Sequence, residues 1–160
     1  MKRRKPWLGR DRTPYALDSR SDVKVLLAEP SYLDEIAQLH QQAFSDAEET
    51  LEASRRYITE ALKDSDGLLY ILLKEAQVIG VCTVDLSGNN NYLYGLAVAE
   101  AYRGQGYGSY LAKSVVNQLI AQNDKSFQIA VEDSNIGAKR LYEKIGFVKQ
   151  TQVVYLKQKE

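Results

Sequence analysis

NYLYGLAVAEAYRGQGYG, residues 91–108, is the stretch around which the rest of the chain is read. Tyr92, Tyr94, Leu96 and Val98 alternate with Leu93, Gly95 and Ala97, the period of two of a strand covered on both faces. Behind Arg103, the glycines Gly104, Gly106 and Gly108 fall at alternate positions and lead into a run in which Leu111, Val115 and Leu119 recur at helical spacing. Strand, glycine turn and helix start together make an anion site. The first helical amides lack intrahelical acceptors, the helix dipole favours negative charge there, and glycine lets backbone approach a ligand closely.

Three phosphate-binding glycine turns compete for this stretch. A P-loop requires Lys and then Ser or Thr after its last glycine, whereas Ser109 and Tyr110 follow Gly108. A dinucleotide fingerprint beginning at Gly104 accepts Ser109 as its third small residue. It lacks a strand-end acid at the right distance, because Asp124 falls in a polar turn. The third pattern, Arg-x-x-Gly-x-Gly, is met by Arg103, Gly106 and Gly108, and it resembles the pyrophosphate loop of the GCN5-related N-acetyltransferase (GNAT) family. A second stretch, IAVEDSNIGAKRLYEKIGF at residues 129–147, resembles that family's other signature: a strand, an Asn opening a helix, Leu-Tyr inside it, then Gly-Phe. Two matches in the right order are harder to produce by chance than either alone. The resemblance covers residues 23–156.

With 160 residues the chain suffices for one domain with a proper core and is short for two. Its apolar and charged fractions, 44% and 26%, are those of a globular protein. Cys82 stands alone, which excludes an internal disulfide and a cysteine-based zinc cluster; within the apolar run 78–84 it reads as a small buried filler rather than a nucleophile. No run reaches the length of a membrane span and the N-terminus lacks the apolar segment of a secretory signal, so a cytoplasmic location is the expectation. Charge balances overall but not locally. Residues 1–20 hold seven Lys or Arg against Asp11 and Asp18. Residues 1–22 are therefore expected to be a basic, solvated extension, with a nucleic-acid arm or a linker remnant as alternatives, and residues 23–160 to be the domain itself.

Residues 23–28 suit a first strand, and Ser31 with Asp34 resembles a capping box ahead of a helix carrying Leu33, Ile36, Ala37, His40 and Phe44. The only histidine, His40, reads as packed rather than catalytic. Asp46, Glu48, Glu49 and Glu52 form an acidic patch leading into a second helix marked by Leu51, Ile58, Ala61 and Leu62. Those acids either favour a cationic ligand or offset the helix dipole. Residues 68–73 and 78–86 suggest a hairpin, 127–131 a further strand, and 147–156 a last β segment. Ser134 or Asn135 caps a helix whose inner side is Ile136, Ala138, Leu141, Tyr142 and Ile145, with Gly146 at a left-handed C-cap. The order β-α-α-β-β-β-α-β-α-β predicts an α/β fold with a mixed sheet.

The resemblance implies the same order, in a GNAT-like fold whose parallel strands at 92–98 and 127–131 splay apart to admit acetyl-CoA. It implies that the backbone of Leu96, Ala97 and Val98 pairs with the pantetheine arm. The amides of Arg103, Gly104, Gln105, Gly106, Tyr107 and Gly108, with Ser109 nearby, hold the pyrophosphate, and Asn135 lies against the arm, its role as a helix cap standing beside this. Tyr142 matches the family's general acid, with a plain core aromatic as the alternative. No metal is implied. Some relatives place a Glu early in the fourth strand where Tyr92 and Tyr94 stand here; Asp85 and Glu132 are then the nearest acids, and proton loss through water stays open. Thirteen residues follow Phe147, fewer than in many relatives, so the short end and basic leader also resemble the second half of a tandem acetyltransferase. The site is then open or completed by another domain or subunit, and a homodimer is compatible. The function implied is N-acetyl transfer to a primary amine of a small molecule or peptide by direct attack, with neither membrane nor nucleic acid as partner. The alternative is a CoA-binding sensor or interaction module without turnover.

Overall fold

A computed structural model of the protein describes residues 7–17, 20–44, 50–131 and 136–149. In chain order its elements are β1 (Trp7–Arg10), β2 (Val23–Leu27), α1 (Leu33–Phe44), α2 (Leu51–Lys63), β3 (Gly67–Lys74), β4 (Gln77–Asp85), β5 (Asn90–Val98), α3 (Tyr107–Gln122), β6 (Ser126–Ala130), α4 (Ile136–Lys144) and β7 (Val148–Lys149). The strands form one seven-stranded sheet in the order β2-β3-β4-β5-β6-β1-β7. Every pairing is antiparallel except β5 with β6, which is parallel, so the expected mixed sheet is present.

Strands that read apolar on both faces demand a helical layer on each side. Along β3, Leu69 and Ile71 pack with Ile36, Ala37 and Leu39 of α1 and Ile58 of α2, while Tyr70 and Leu72 join Leu111, Val115 and Leu119 of α3 on the opposite face. Each of these Leu, Ile and Val side chains, once buried, contributes about 1.5–3 kcal/mol of transfer free energy. The β3–β4 turn holds Glu75 and Ala76 at φ 51° and 69°, the left-handed geometry of a two-residue hairpin taken here without glycine.

Pairing between β5 and β6 runs only from Asn90↔Ser126 to Leu93↔Ile129, although β5 continues to Val98. On its other edge β5 stays paired with β4, through an irregularity between the Thr83↔Tyr94 and Val81↔Ala97 positions. Among the described residues, 94–98 therefore have a strand neighbour on one edge only. A gap opens there between two parallel strands.

The N-terminal region departs from the expectation of a solvated extension. Trp7–Arg10 is a strand between β6 and β7, with Leu8 only 1% exposed. Arg12 donates to the carbonyls of Ile120, Asn123 and Lys125 at 3.2, 2.8 and 2.7 Å, which places a cation at the C-terminal end of α3, where the dipole favours it. Tyr15 exchanges backbone hydrogen bonds with the Asn117 amide, and its hydroxyl donates to the Ile145 carbonyl at 2.6 Å. A boundary at residue 23 thus divides nothing in the described fold. Ser31 also departs from expectation: it lies inside a 3-10 turn, Pro30–Tyr32, that runs straight into α1, with no side-chain cap at Glu29. The cap that does form is on α2, where the Thr50 hydroxyl accepts from the Ala53 amide at 3.0 Å. Asp46, Glu48, Glu49, Glu132, Ser134, Asn135 and the β segment expected beyond 149 lie outside the described residues.

Candidate active site

Beyond β5 the chain makes a 3-10 turn, Glu100–Tyr102, then the glycine loop, then α3. Gly104 and Gly106 take φ 77° and 87°, a region that side chains with a Cβ rarely adopt, so these two glycines are required by the turn. Gly106 occupies the N-cap of α3 without a side chain to cap it. The first helical hydrogen bond runs from the Tyr110 amide to the Gly106 carbonyl at 3.0 Å, so the amides of Tyr107, Gly108 and Ser109 precede the ladder and look for acceptors outside the helix. Gly108 has a different reason. A Cβ there would stand 2.9 Å from Leu141 Cδ1, so the third glycine lets α3 and α4 approach.

A cleft of about 670 Å³ follows this loop and the unpaired edge of β5. Of the residues expected at the site, Leu96, Ala97, Val98, Arg103, Gly104, Gly106, Gly108 and Ser109 line it. The side chains of Gln105 and Tyr107 do not: Gln105 donates to the Ala101 carbonyl at 3.3 Å, and the buried Tyr107 donates to Asp22 Oδ2 at 3.2 Å beneath the Arg20 guanidinium. Arg103 is anchored rather than extended. Its Nε donates to the Val98 carbonyl at 2.9 Å and its amide to the Glu100 carbonyl at 3.3 Å.

From α4 the cleft receives Gly137, Ala138, Leu141 and Lys144, recurring at three and four residues, together with Arg140. Tyr142 is on the neighbouring, core-facing side of that helix. It is 4% exposed and meets Phe147 edge-to-face at 5.9 Å. Burial pushes its phenol far above the ordinary range, with smaller contributions from Cys82 and Tyr92, so it carries its proton throughout the neutral range.

The other titratable candidates separate cleanly. Cys82 is buried and burial pushes its thiol up to about 12, as suits an inert filler. Asp85 accepts from the Ser87 amide and hydroxyl at 2.9 and 2.7 Å; these bonds hold its carboxyl below the usual range and make it a poor base. His40 Nδ1 lies 3.3 Å from Ser54 Oγ, and its ring stacks on Tyr57 at 4.7 Å, away from the cleft lining. Asn135 and Glu132 lie outside the described residues. Sequence reasoning passed over Arg140 and Lys144, two cations four residues apart on a helix beside the glycine loop; that spacing was the available signal. Among the described residues no group of three or more His, Cys, Asp or Glu gathers as metal ligands, and no helix is long and apolar enough to cross a membrane.

A strand edge with unpaired amides and carbonyls, a helix N-terminus and two cations suit an extended molecule that is polar along its length and anionic at one end. Comparison with known proteins agrees. Residues 33–147 match the model of the acetyltransferase (GNAT) family. Two curated relatives, the [ribosomal protein bS18]-alanine N-acetyltransferases of Haemophilus ducreyi and Haemophilus influenzae, are 30% and 32% identical over 89 residues, or 54% of this chain. The match spans 61% and 60% of their own lengths, less than two thirds of either. In fold, the chain is similar to the crystal structure of the ribosomal-protein-S18-alanine N-acetyltransferase from Escherichia coli, with a TM-score of 0.69 at 19% identity over 81% of this chain and 79% of that one. With the family model spanning α1 to Phe147, the glycine loop and the splayed parallel pair both inside it, this chain belongs to the GNAT acetyltransferase family.

Proposed function

We propose that the protein transfers the acetyl group of acetyl-CoA to a primary amine by direct attack, with no covalent enzyme intermediate. The observation that carries the reading is the one-sided half of β5, residues 94–98, leading straight into the glycine loop at the start of α3. The residues present suit the co-substrate. Amides of residues 107–109 with Arg140 and Lys144 meet the demands of a diphosphate, and the free edge of Leu96 and Ala97 can pair with an amide-bearing arm as a strand would. Acetyl-CoA supplies the activated acyl carbonyl and a thiol leaving group.

The remaining work is moving protons. An alkyl amine with an ordinary pKa near 10.4 has only about one molecule in a few thousand neutral at pH 7, so the acceptor must shed a proton before its nitrogen forms the new C–N bond. As the C–S bond breaks, the sulfur takes up a proton. Tyr142 is the donor in this reading, because it matches the family's general acid and its buried phenol stays protonated. With Asp85 committed to Ser87, water is the acceptor of the amine's proton. The names of the curated relatives support a peptide or protein amine as the acceptor class.

Two measurements test this. Acetyl-CoA at a hundredfold excess over its Kd is expected to add about 2.7 kcal/mol of stability, read as a raised Tm. Free thiol is then expected to appear only when amine is added. A raised Tm with no thiol release from any amine overturns acetyl transfer and leaves a CoA-binding module.

A further inference from the structure

The acetyl-transfer reading uses the backbone of Tyr107 and leaves its side chain unexplained. That side chain turns away from the cleft into the core, where it is 5% exposed, and its ring meets the cleft-lining Tyr102 edge-to-face at 6.0 Å. Its hydroxyl donates to Asp22 Oδ2 at 3.2 Å. Asp22 lies one residue ahead of β2, in a turn closed by the Val23 amide on the Arg20 carbonyl at 3.5 Å. The carboxylate is flanked by Arg20, whose Nε is 3.4 Å from Oδ1, and by Lys74 at the end of β3, whose Nζ is 3.5 Å from Oδ2. The Arg20 guanidinium also covers the rings of Tyr107 and Tyr110, in the first turn of α3, at 4.4 and 5.8 Å from their centres.

The ion pairs alone do not account for this arrangement. The Asp22 side chain is 39% exposed, so its pairing with Arg20 and Lys74 contributes little by itself. Tyr107 is the residue that needs the contact. A buried phenol requires a hydrogen-bond partner, and it finds one 85 positions away in sequence. The backbone it belongs to has few restraints of its own. Gly104 and Gly106 precede it, Gly106 offers no side-chain cap, and the first helical hydrogen bond begins only at Tyr110. The phenol–carboxylate bond therefore ties the free end of α3 to the β2–β3 edge of the sheet.

We propose that Asp22 is a positioning residue for the co-substrate: through the Tyr107 phenol it fixes the first turn of α3, so that the amides of residues 107–109 are already ordered when the diphosphate arrives. The proposal rests on the acetyl-transfer reading for the identity of the anion. Asp22 does not line the cleft; it acts by leaving less ordering to be done on binding. Charge and position predict opposite signs. By its field alone, removal of a carboxylate near the loop makes an anion bind more tightly. Removal of a strut makes it bind more weakly.

Asp22→Ala, Asp22→Asn, Tyr107→Phe and the double variant Asp22→Ala with Tyr107→Phe are compared with the parent, CoA being titrated calorimetrically and turnover followed by thiol release. Asp22→Ala is expected to raise the Kd for CoA and the KM for acetyl-CoA at least fivefold, with kcat within twofold. Asp22→Asn keeps an oxygen that accepts from the phenol and is expected to stay within twofold of the parent. Tyr107→Phe is expected to match Asp22→Ala, and the double variant to be within twofold of either, because all three remove the same bond. S-acetylpantetheine lacks the diphosphate, so its kcat/KM is expected to be the same within twofold in the parent and in Asp22→Ala, whereas general damage to the fold would lower both donors alike. Five results overturn the proposal: tighter CoA binding by Asp22→Ala, unchanged binding, equal losses with the two donors, a loss in Asp22→Asn as large as in Asp22→Ala, or losses that multiply in the double variant. If the parent binds no CoA, the acetyl-transfer reading falls instead, and amide hydrogen exchange decides the strut. The Tyr110 amide is then expected to exchange at least tenfold faster in Asp22→Ala while that of Val116 is unchanged, and equal Tyr110 exchange in the two proteins overturns it.

Discussion

The two halves of β5 differ in little but their neighbours. Residues 92 and 93 are paired with β4 on one edge and β6 on the other, while 90 and 91 are paired with β6. Leu93 is fully buried, and the buried Asn91 exchanges amide hydrogen bonds with Asn123 at 3.0 and 2.9 Å. Residues 94–98 keep β4 and lose β6, so one row of backbone groups faces a cleft. The first half holds the sheet together; the second leaves a ladder half-built for a ligand to complete. One strand thus serves stability and binding in succession, and changes to the two halves should have opposite signatures.

The sharpest break is Tyr142→Phe, on the core-facing side of the α4 helix that lines the cleft. Loss of a general acid is expected to lower kcat about 10²- to 10⁴-fold while the Kd for acetyl-CoA stays the same, checked by steady-state kinetics beside calorimetry. Unchanged kcat would remove Tyr142 from the chemistry. Next comes Leu93→Ala in the paired half, expected to cost about 2–5 kcal/mol in denaturant unfolding with little change in cofactor affinity per folded molecule. Gly106→Val acts on the loop that continues the one-sided half. A β-branched residue at φ 87° carries roughly 1–3 kcal/mol of strain, so CoA binding should weaken about 5- to 150-fold, and the loss of Tm should be small beside that of Leu93→Ala.

The smallest effect is a pH dependence set by Cys82, on the strand that backs both halves. Its folded thiol titrates at about 12 against an ordinary 9.0, so the unfolded chain loses this proton first. The contribution to stability is complete below pH 9 and is lost as pH rises towards 12. Cys82→Ala should flatten the unfolding free energy over that window, although tyrosines raised by burial add their own decline above pH 10.

The one-sided half and its loop were legible because glycine spacing and period-two alternation are local signals, and 94–108 contains both. The paired half was legible as a strand, but its partner was known only through resemblance. Trp7–Arg10 was not legible as a strand. Four residues in a run of Lys and Arg are too few for alternation to stand out, and the strand exists because Leu8 finds a place between β6 and β7. Arg12 illustrates the same blindness, since its three carbonyl partners come from residues more than a hundred positions away. The tyrosines at 92 and 94 were noticed only for standing where an acid was wanted.

β1 has a consequence for how the molecule comes into being. Leu8 is aligned with Ile129 and Gly9 with Val148, so β1 cannot meet its partners until more than a hundred further residues have been made. Such distant pairings close large loops and form late. β1 is therefore expected to be the last of the sheet's described strands to lock, and a chain cut short before residue 126 would leave it without its β6 partner.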